Sequence, residues 1–67
     1  METTYDDGMY VNDNVIYFVK DQKVLMLVKD TFYKTTTSYM FQPKKIEGLY
    51  KSMIVWFDDI YESSKWW

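Results

Sequence analysis

The chain has 67 residues, of which 48% are hydrophobic and 21% aromatic, and its formal net charge is −2. It contains no cysteine and no histidine, which excludes disulfides and metal sites built on thiolate or imidazole ligands. So small a net charge does not favour general binding to polyanions. We expect one domain over residues 1–67 whose stability depends on packing and association, because a chain this short buries only about 60% of its unfolded surface.

The first segment, residues 1–8, is polar and acidic, and we expect a loose lead-in there. Residues 9–11 are apolar but too few to define a strand alone. They either extend the next strand across a bulge at 12–14 or turn back as a short extra N-terminal strand.

Two apolar runs at residues 15–19 and 24–28 predict a central β-hairpin. Each run is five residues long, rich in β-branched and aromatic types, and bounded by turn residues. Successive side chains of a strand point to opposite faces, so Tyr17 and Phe18 lie on different faces of the hairpin. Neither face is polar, so both faces need to be covered.

Residues 32–41 predict a third strand, since they combine threonines with aromatic side chains. Their polar centre is typical of an edge exposed to water. With tight turns between neighbours, residues 9–41 form an antiparallel β-meander.

The pattern changes after Pro43, where apolar residues recur at helical spacing. They predict an amphipathic helix over residues 44–62, with Trp56 on its apolar arc and Val55 as the residue that does not fit it. The strand-like composition of 53–57 and the presence of Gly48 leave a fourth strand as the alternative. Residues 63–67 follow as an aromatic tail.

These elements predict an α+β fold: a three-stranded antiparallel β-meander with one C-terminal amphipathic helix packed on one face. A single helix covers only one face of a sheet. The other face is therefore expected to remain apolar and open.

No arrangement of residues indicates catalysis, a cofactor or a metal. Asp58, Asp59 and Glu62 are the acidic residues with a spacing that Mg²⁺ or Ca²⁺ could use, but such a group is more often a solvated helix face. Two glycines cannot build a nucleotide-binding loop. We therefore expect a protein that is not an enzyme and has no catalytic, cofactor or metal residues.

The open sheet face predicts a partner-binding surface. We expect a twofold homodimer or a complex with a host protein, because one apolar patch then covers another. The alternative is that the N-terminal segment or the aromatic tail folds back over that face. The predicted partner-binding residues are Tyr17, Phe18, Leu25, Leu27, Tyr33, Tyr39, Trp66 and Trp67.

Size, aromatic content and lysine as the basic residue are typical of phage and mobile-element accessory proteins that bind and inhibit or redirect a host protein. The alternative function is binding of single-stranded nucleic acid, in which bases stack on sheet aromatics beside lysines. No apolar run reaches the ~20 residues of a membrane span, and the N-terminus lacks the basic start of a signal peptide. A cytoplasmic location without membrane contact is expected.

Overall fold

The computed structural model describes residues 5–40 and 42–67. The first half of the predicted lead-in, residues 1–4, and position 41 at the end of the predicted meander lie outside the described residues. Neither helix within the described ranges has the length and apolar run needed to cross a membrane.

Six strands form one sheet, and two short helices pack on it. The strands are β1 (Gly8–Asn12), β2 (Val15–Lys20), β3 (Lys23–Val28), β4 (Thr31–Thr35), β5 (Lys44–Ile46) and β6 (Lys65–Trp66), and the helices are α1 (Tyr50–Ile54) and α2 (Phe57–Ser63). The strand order is β5-β1-β2-β3-β4-β6, and every neighbouring pair is antiparallel except β4 with β6, which is parallel.

The α+β class and the antiparallel core of the sheet are confirmed, but the prediction of three strands and one helix was incomplete. Residues 9–11 belong to a strand of their own, which turns back on β2 with Tyr10 opposite Tyr17. The predicted third strand ends at Thr35, and a 3₁₀ turn at Thr37–Tyr39 follows it. The aromatic tail supplies β6, which extends the sheet beyond β4.

The predicted helix over 44–62 begins with a strand and is broken in the middle. Gly48 has a φ of 155°, a conformation that L side chains rarely adopt, so the helix cannot continue through it. Trp56 N donates to Met53 O at 2.9 Å. This hydrogen bond spans three residues instead of the four of an α-helix, and the chain turns here between α1 and α2. Val55, which did not fit the apolar arc, lies at this break and is 74% exposed.

The two helices cover one face of the sheet. This helix-covered face carries Phe18 and Leu25, which are buried together with Met9 and Phe57. Tyr50 also anchors α1 to the sheet, because its hydroxyl donates to Val19 O at 2.9 Å.

The opposite, helix-free face carries Tyr17, Val24 and Met26, and the chain covers it by itself. Met40, delivered by the 3₁₀ turn after β4, is buried on this face, and Tyr5 packs at its border. The Tyr5 hydroxyl donates to Met40 O at 3.2 Å, which joins the two covering segments. The expectation of an open sheet face is therefore wrong. The segments that carry Tyr5 and Met40 cover the face that the helices do not reach.

Two of the hairpin turns are built without glycine in conformations that favour glycine. Asp21 and Gln22 have φ values of 50° and 63°, and Lys29 and Asp30 have 47° and 67°. Two consecutive left-handed residues make the type I′ turn, which matches the twist of the flanking strands. A left-handed residue that carries a Cβ costs about 1–2 kcal/mol, and less when it is Asp or Asn, so Gln22 and Lys29 are the strained positions of these turns.

We expect Lys29→Gly to stabilise the protein, because Lys29 has a φ of 47° in the turn before β4. Relief of the left-handed strain outweighs the larger entropy that glycine brings to the unfolded chain, for a net gain of about 0.5–1 kcal/mol. This corresponds to a rise in Tm of about 2–8 °C for a protein of this size, measured by thermal denaturation followed by circular dichroism. Lys29→Ala is the matched control, since it removes the same charge but keeps the Cβ. Equal Tm values for the two variants would contradict the strain argument.

Candidate partner-binding surface

The eight predicted partner-binding residues divide into a buried and an accessible group. Tyr17, Phe18 and Leu25 are buried in the two clusters that cover the sheet, so they cannot reach a partner while the chain is folded. Leu27 and Tyr33 are half-buried beside those clusters. Tyr39, Trp66 and Trp67 are exposed.

The accessible residues meet at the end of the sheet formed by β6. Trp66 contacts Tyr61 of α2, with ring centroids 6.4 Å apart, on the helix-covered face. Trp67 contacts Tyr33 at 5.1 Å and Tyr39 at 6.0 Å, and Tyr33 borders the helix-free face. Residues 66 and 67 thus place one indole on each face of the sheet. We call this region the β6 edge surface; its members are Lys34, Tyr39, Lys65, Trp66 and Trp67.

The end of α2 directs the chain to this edge. The Ser64 hydroxyl donates to Ile60 O at 2.5 Å, and Ser64 itself has extended backbone angles. The Ser63 hydroxyl also donates to carbonyl oxygens of the last helical turn, at 3.0 and 3.2 Å. These bonds satisfy carbonyls that a helix end leaves open, and residue 65 then starts a strand beside β4.

A lysine stands over the aromatic rings on the helix-covered side of this surface. Lys34 Nζ lies 5.2 Å from the Tyr61 ring centroid and 5.5 Å from that of Trp66. Both distances are within the range of cation–π attraction. The β6 edge surface therefore places the positively charged ammonium group of Lys34 beside the exposed indole of Trp66.

Asp58 forms salt bridges with two lysines. Lys20 Nζ lies 3.1 Å from one Asp58 carboxylate oxygen, and Lys23 Nζ lies 3.6 Å from the other. The hydrogen bond from Lys20 and the charges of both lysines hold the pKa of Asp58 below its usual value. In the described part of the chain, no group of three or more acidic, histidine or cysteine side chains is placed to hold a metal ion.

Burial raises the pKa of three tyrosines and so makes their hydroxyls harder to ionise. Desolvation raises the pKa of Tyr10, Tyr17 and Tyr50 above the ordinary value of 10.0, with nearby carboxylates as a smaller cause. A phenol useful for acid–base catalysis needs a pKa nearer neutrality. The hydroxyls of Tyr10 and Tyr50 donate to backbone carbonyls, of Asp6 at 2.7 Å and of Val19 at 2.9 Å.

A groove of about 420 Å³ lies next to the β6 edge surface. The groove is lined by Phe32 of β4, Ile60 of α2 and Lys65 of β6, together with Asp30 in the turn before β4. It exists because β6 pairs only with the second half of β4, at Tyr33 and Lys34. The first half of β4 borders the groove instead.

Trp56 is a further exposed aromatic residue that the sequence pattern did not identify. The helical arc placed it on the buried side, whereas it lies at the start of α2 with its ring turned out. Leu49 and Val55 are exposed in the same part of the chain. The misfit of Val55 was the signal that the helix is not continuous and that the positions around it face outward.

Comparison of the chain with protein-family models, with curated proteins and with solved structures gave no match.

Proposed function

We propose that this protein is a small non-enzymatic interaction module that binds a protein partner through exposed tryptophans. One observation carries the proposal: Trp56, Trp66 and Trp67 are 60%, 65% and 55% exposed, although they are the largest apolar side chains in the chain. Both faces of the sheet are covered from within the chain, so these rings are not needed to complete the core.

Tryptophan is among the residues that contribute most to protein–protein binding, and its truncation at the centre of an interface costs 2 kcal/mol or more. Leaving three indoles in water forgoes the favourable burial of a large apolar area. A surface that keeps them exposed is suited to a partner that covers them.

The cellular setting we propose is that of a phage or mobile-element accessory protein. In that setting the partner is a host protein in the bacterial cytoplasm, which the module inhibits or redirects. Small size, high aromatic content and a surface with exposed tryptophans support this assignment, and no cofactor is part of it.

The test is affinity capture from a bacterial lysate with immobilised wild-type protein and its variants. We expect the wild type to retain a bacterial protein, and Trp66→Ala with Trp67→Ala to lose about 30-fold or more in affinity for it. Lys51→Asp, at an exposed helix position, serves as the control and should retain the same protein. Circular dichroism verifies that each variant is folded. Retention that is equal for all three proteins, or no retention by the wild type, would contradict the proposal.

Homodimerisation remains a prediction, but the sheet face from which it was predicted is covered by the chain itself. The dimer was expected to bury an open sheet face, and Met40 and Tyr5 occupy that face. The exposed apolar side chains that a dimer would cover instead include the tryptophans. Light scattering at micromolar concentration distinguishes a monomer of 8.2 kDa from a particle of twice that mass.

Single-stranded nucleic acid is the second candidate ligand, and the position of Lys34 over the exposed Trp66 ring favours it. Such binding must weaken steeply with salt, because each neutralised phosphate releases counterions. We expect labelled oligonucleotides to show no salt-sensitive binding at physiological ionic strength in a polarisation assay. The reason is that α2 carries Asp58, Asp59 and Glu62 on the same side of the sheet. Micromolar binding that falls with salt would favour nucleic acid over protein.

A further inference from the structure

The two edges of the sheet differ in how they are protected. Natural sheets often place lysines on edge strands, which discourages pairing with another chain. β5 follows this pattern with Lys44 and Lys45, both exposed. β6 carries one lysine, Lys65, followed by Trp66 and Trp67, so the sheet ends there in apolar surface.

The backbone of β6 also offers hydrogen-bonding groups on its open side. Trp67 N donates to Lys34 O at 2.9 Å, so the N–H of Trp67 points towards β4. Backbone groups of successive residues in a strand point to opposite sides. The N–H and C=O of Trp66 therefore point away from β4, where a further strand would lie.

The side chains around this backbone fit an extended ligand. Trp66 and Trp67 flank the open edge, one on each face of the sheet. An added strand has side chains that alternate between the same two faces, so its successive residues would meet one indole and then the other. The groove of about 420 Å³ beside β4 and Lys65 has room for a further side chain.

The charge at this edge selects for carboxylates. Among the described residues the ion pairs join Lys20 and Lys23 to Asp58, so neither Lys34 nor Lys65 is in an ion pair. Lys34 is held over Trp66 and Tyr61 rather than by an acidic side chain. A ligand with a carboxylate beside an apolar residue complements this pair of lysines, and the acidic residues of α2 disfavour a chain of phosphates.

We infer that the β6 edge binds an extended, acidic segment of the partner protein, which adds to the sheet as a strand next to β6. The segment places apolar side chains against Trp66 and Trp67 and a carboxylate near Lys34 or Lys65. This inference rests on the proposed function and specifies how the partner is recognised.

The test uses a displayed library of random 12-residue peptides selected on the full-length protein, followed by titration of the best binder as a synthetic peptide. We expect selected peptides to alternate apolar residues and to contain Asp or Glu. Trp66→Ala and Trp67→Ala should each weaken binding by about tenfold or more, and Lys65→Glu by about threefold or more. Lys44→Glu, which makes the same charge change as Lys65→Glu but on β5 at the opposite edge of the sheet, is the control and should bind as the wild type does.

Methylation of the peptide backbone separates strand addition from side-chain docking. Blocking the peptide amide that faces Trp66 O should weaken binding by about three- to tenfold, whereas blocking the adjacent amide should have little effect. An equal effect at both amides would overturn the inference. So would selected peptides that lack acidic residues, or displacement of the peptide by a short oligothymidylate. If no peptide binds but lysate capture still depends on the tryptophans, strand addition is wrong while the proposed function stands.

Discussion

Replacing Phe57 with alanine is expected to remove a large part of the protein's stability. Phe57 is fully buried at the start of α2, and it is packed with Phe18 and Leu25 of the sheet and stacked on Tyr61 with centroids 5.7 Å apart. Removing a buried phenylalanine side chain costs about 3–5 kcal/mol. The whole free energy of unfolding for a chain of this length is about 3–10 kcal/mol, so about a third of the stability or more is lost. Urea denaturation followed by circular dichroism measures the change.

Trp56→Ala is the control for this variant, because it removes a larger aromatic side chain from the adjacent position. The Trp56 ring is exposed, so its loss should change the free energy of unfolding by no more than about 0.5 kcal/mol. Similar losses at positions 56 and 57 would contradict the burial of Phe57 and the exposure of Trp56.

Met40→Asp is expected to have the second-largest effect. Met40 is 4% exposed on the helix-free face, among Tyr17, Val24 and Met26. A carboxylate there is either buried at a cost of several kcal/mol or carried out into water, which uncovers the sheet. Denaturant titration should show a loss of about 3 kcal/mol or more, and a dye specific for exposed apolar surface should bind the variant more strongly than the wild type.

Met40→Leu provides the comparison at the same site. It keeps the volume and the apolar character, so it should cost less than about 1.5 kcal/mol. If Met40→Asp were as stable as Met40→Leu, the 3₁₀ segment would not cover the sheet, and the original expectation of an open face would be restored.

The sequence predicted the centre of the sheet because its signal there is local. Residues 15–28 contain two apolar runs with turn residues between them, and the strands pair as that pattern requires, with Val19 opposite Val24. The outer strands carry no such signal. Lys44–Ile46 and Lys65–Trp66 are three and two residues long and rich in lysine, and they are strands only because β1 and β4 offer open edges to them.

The sequence showed which residue types could form a binding surface, but it did not show which of those residues are buried. Tryptophan is enriched at protein interfaces, and both Trp66 and Trp67 are exposed. Tyr17, Phe18 and Leu25 are equally apolar, yet they lie in the core, because the pattern of a strand does not show what covers it. Trp56 was missed since a helical wheel assumes an unbroken helix.

The order of the strands also sets how the sheet opens. β1 to β4 are consecutive in the chain and joined by two-residue turns, so their pairing closes only short loops. β5 and β6 reach β1 and β4 from far along the chain, and each contributes few hydrogen bonds. Amide hydrogens of β5 and β6 should therefore exchange with solvent before those of β2 and β3. A ligand strand bound beside β6 would slow exchange at β4 as well, although it touches none of β4's backbone, because β6 must detach before that side of β4 can meet water.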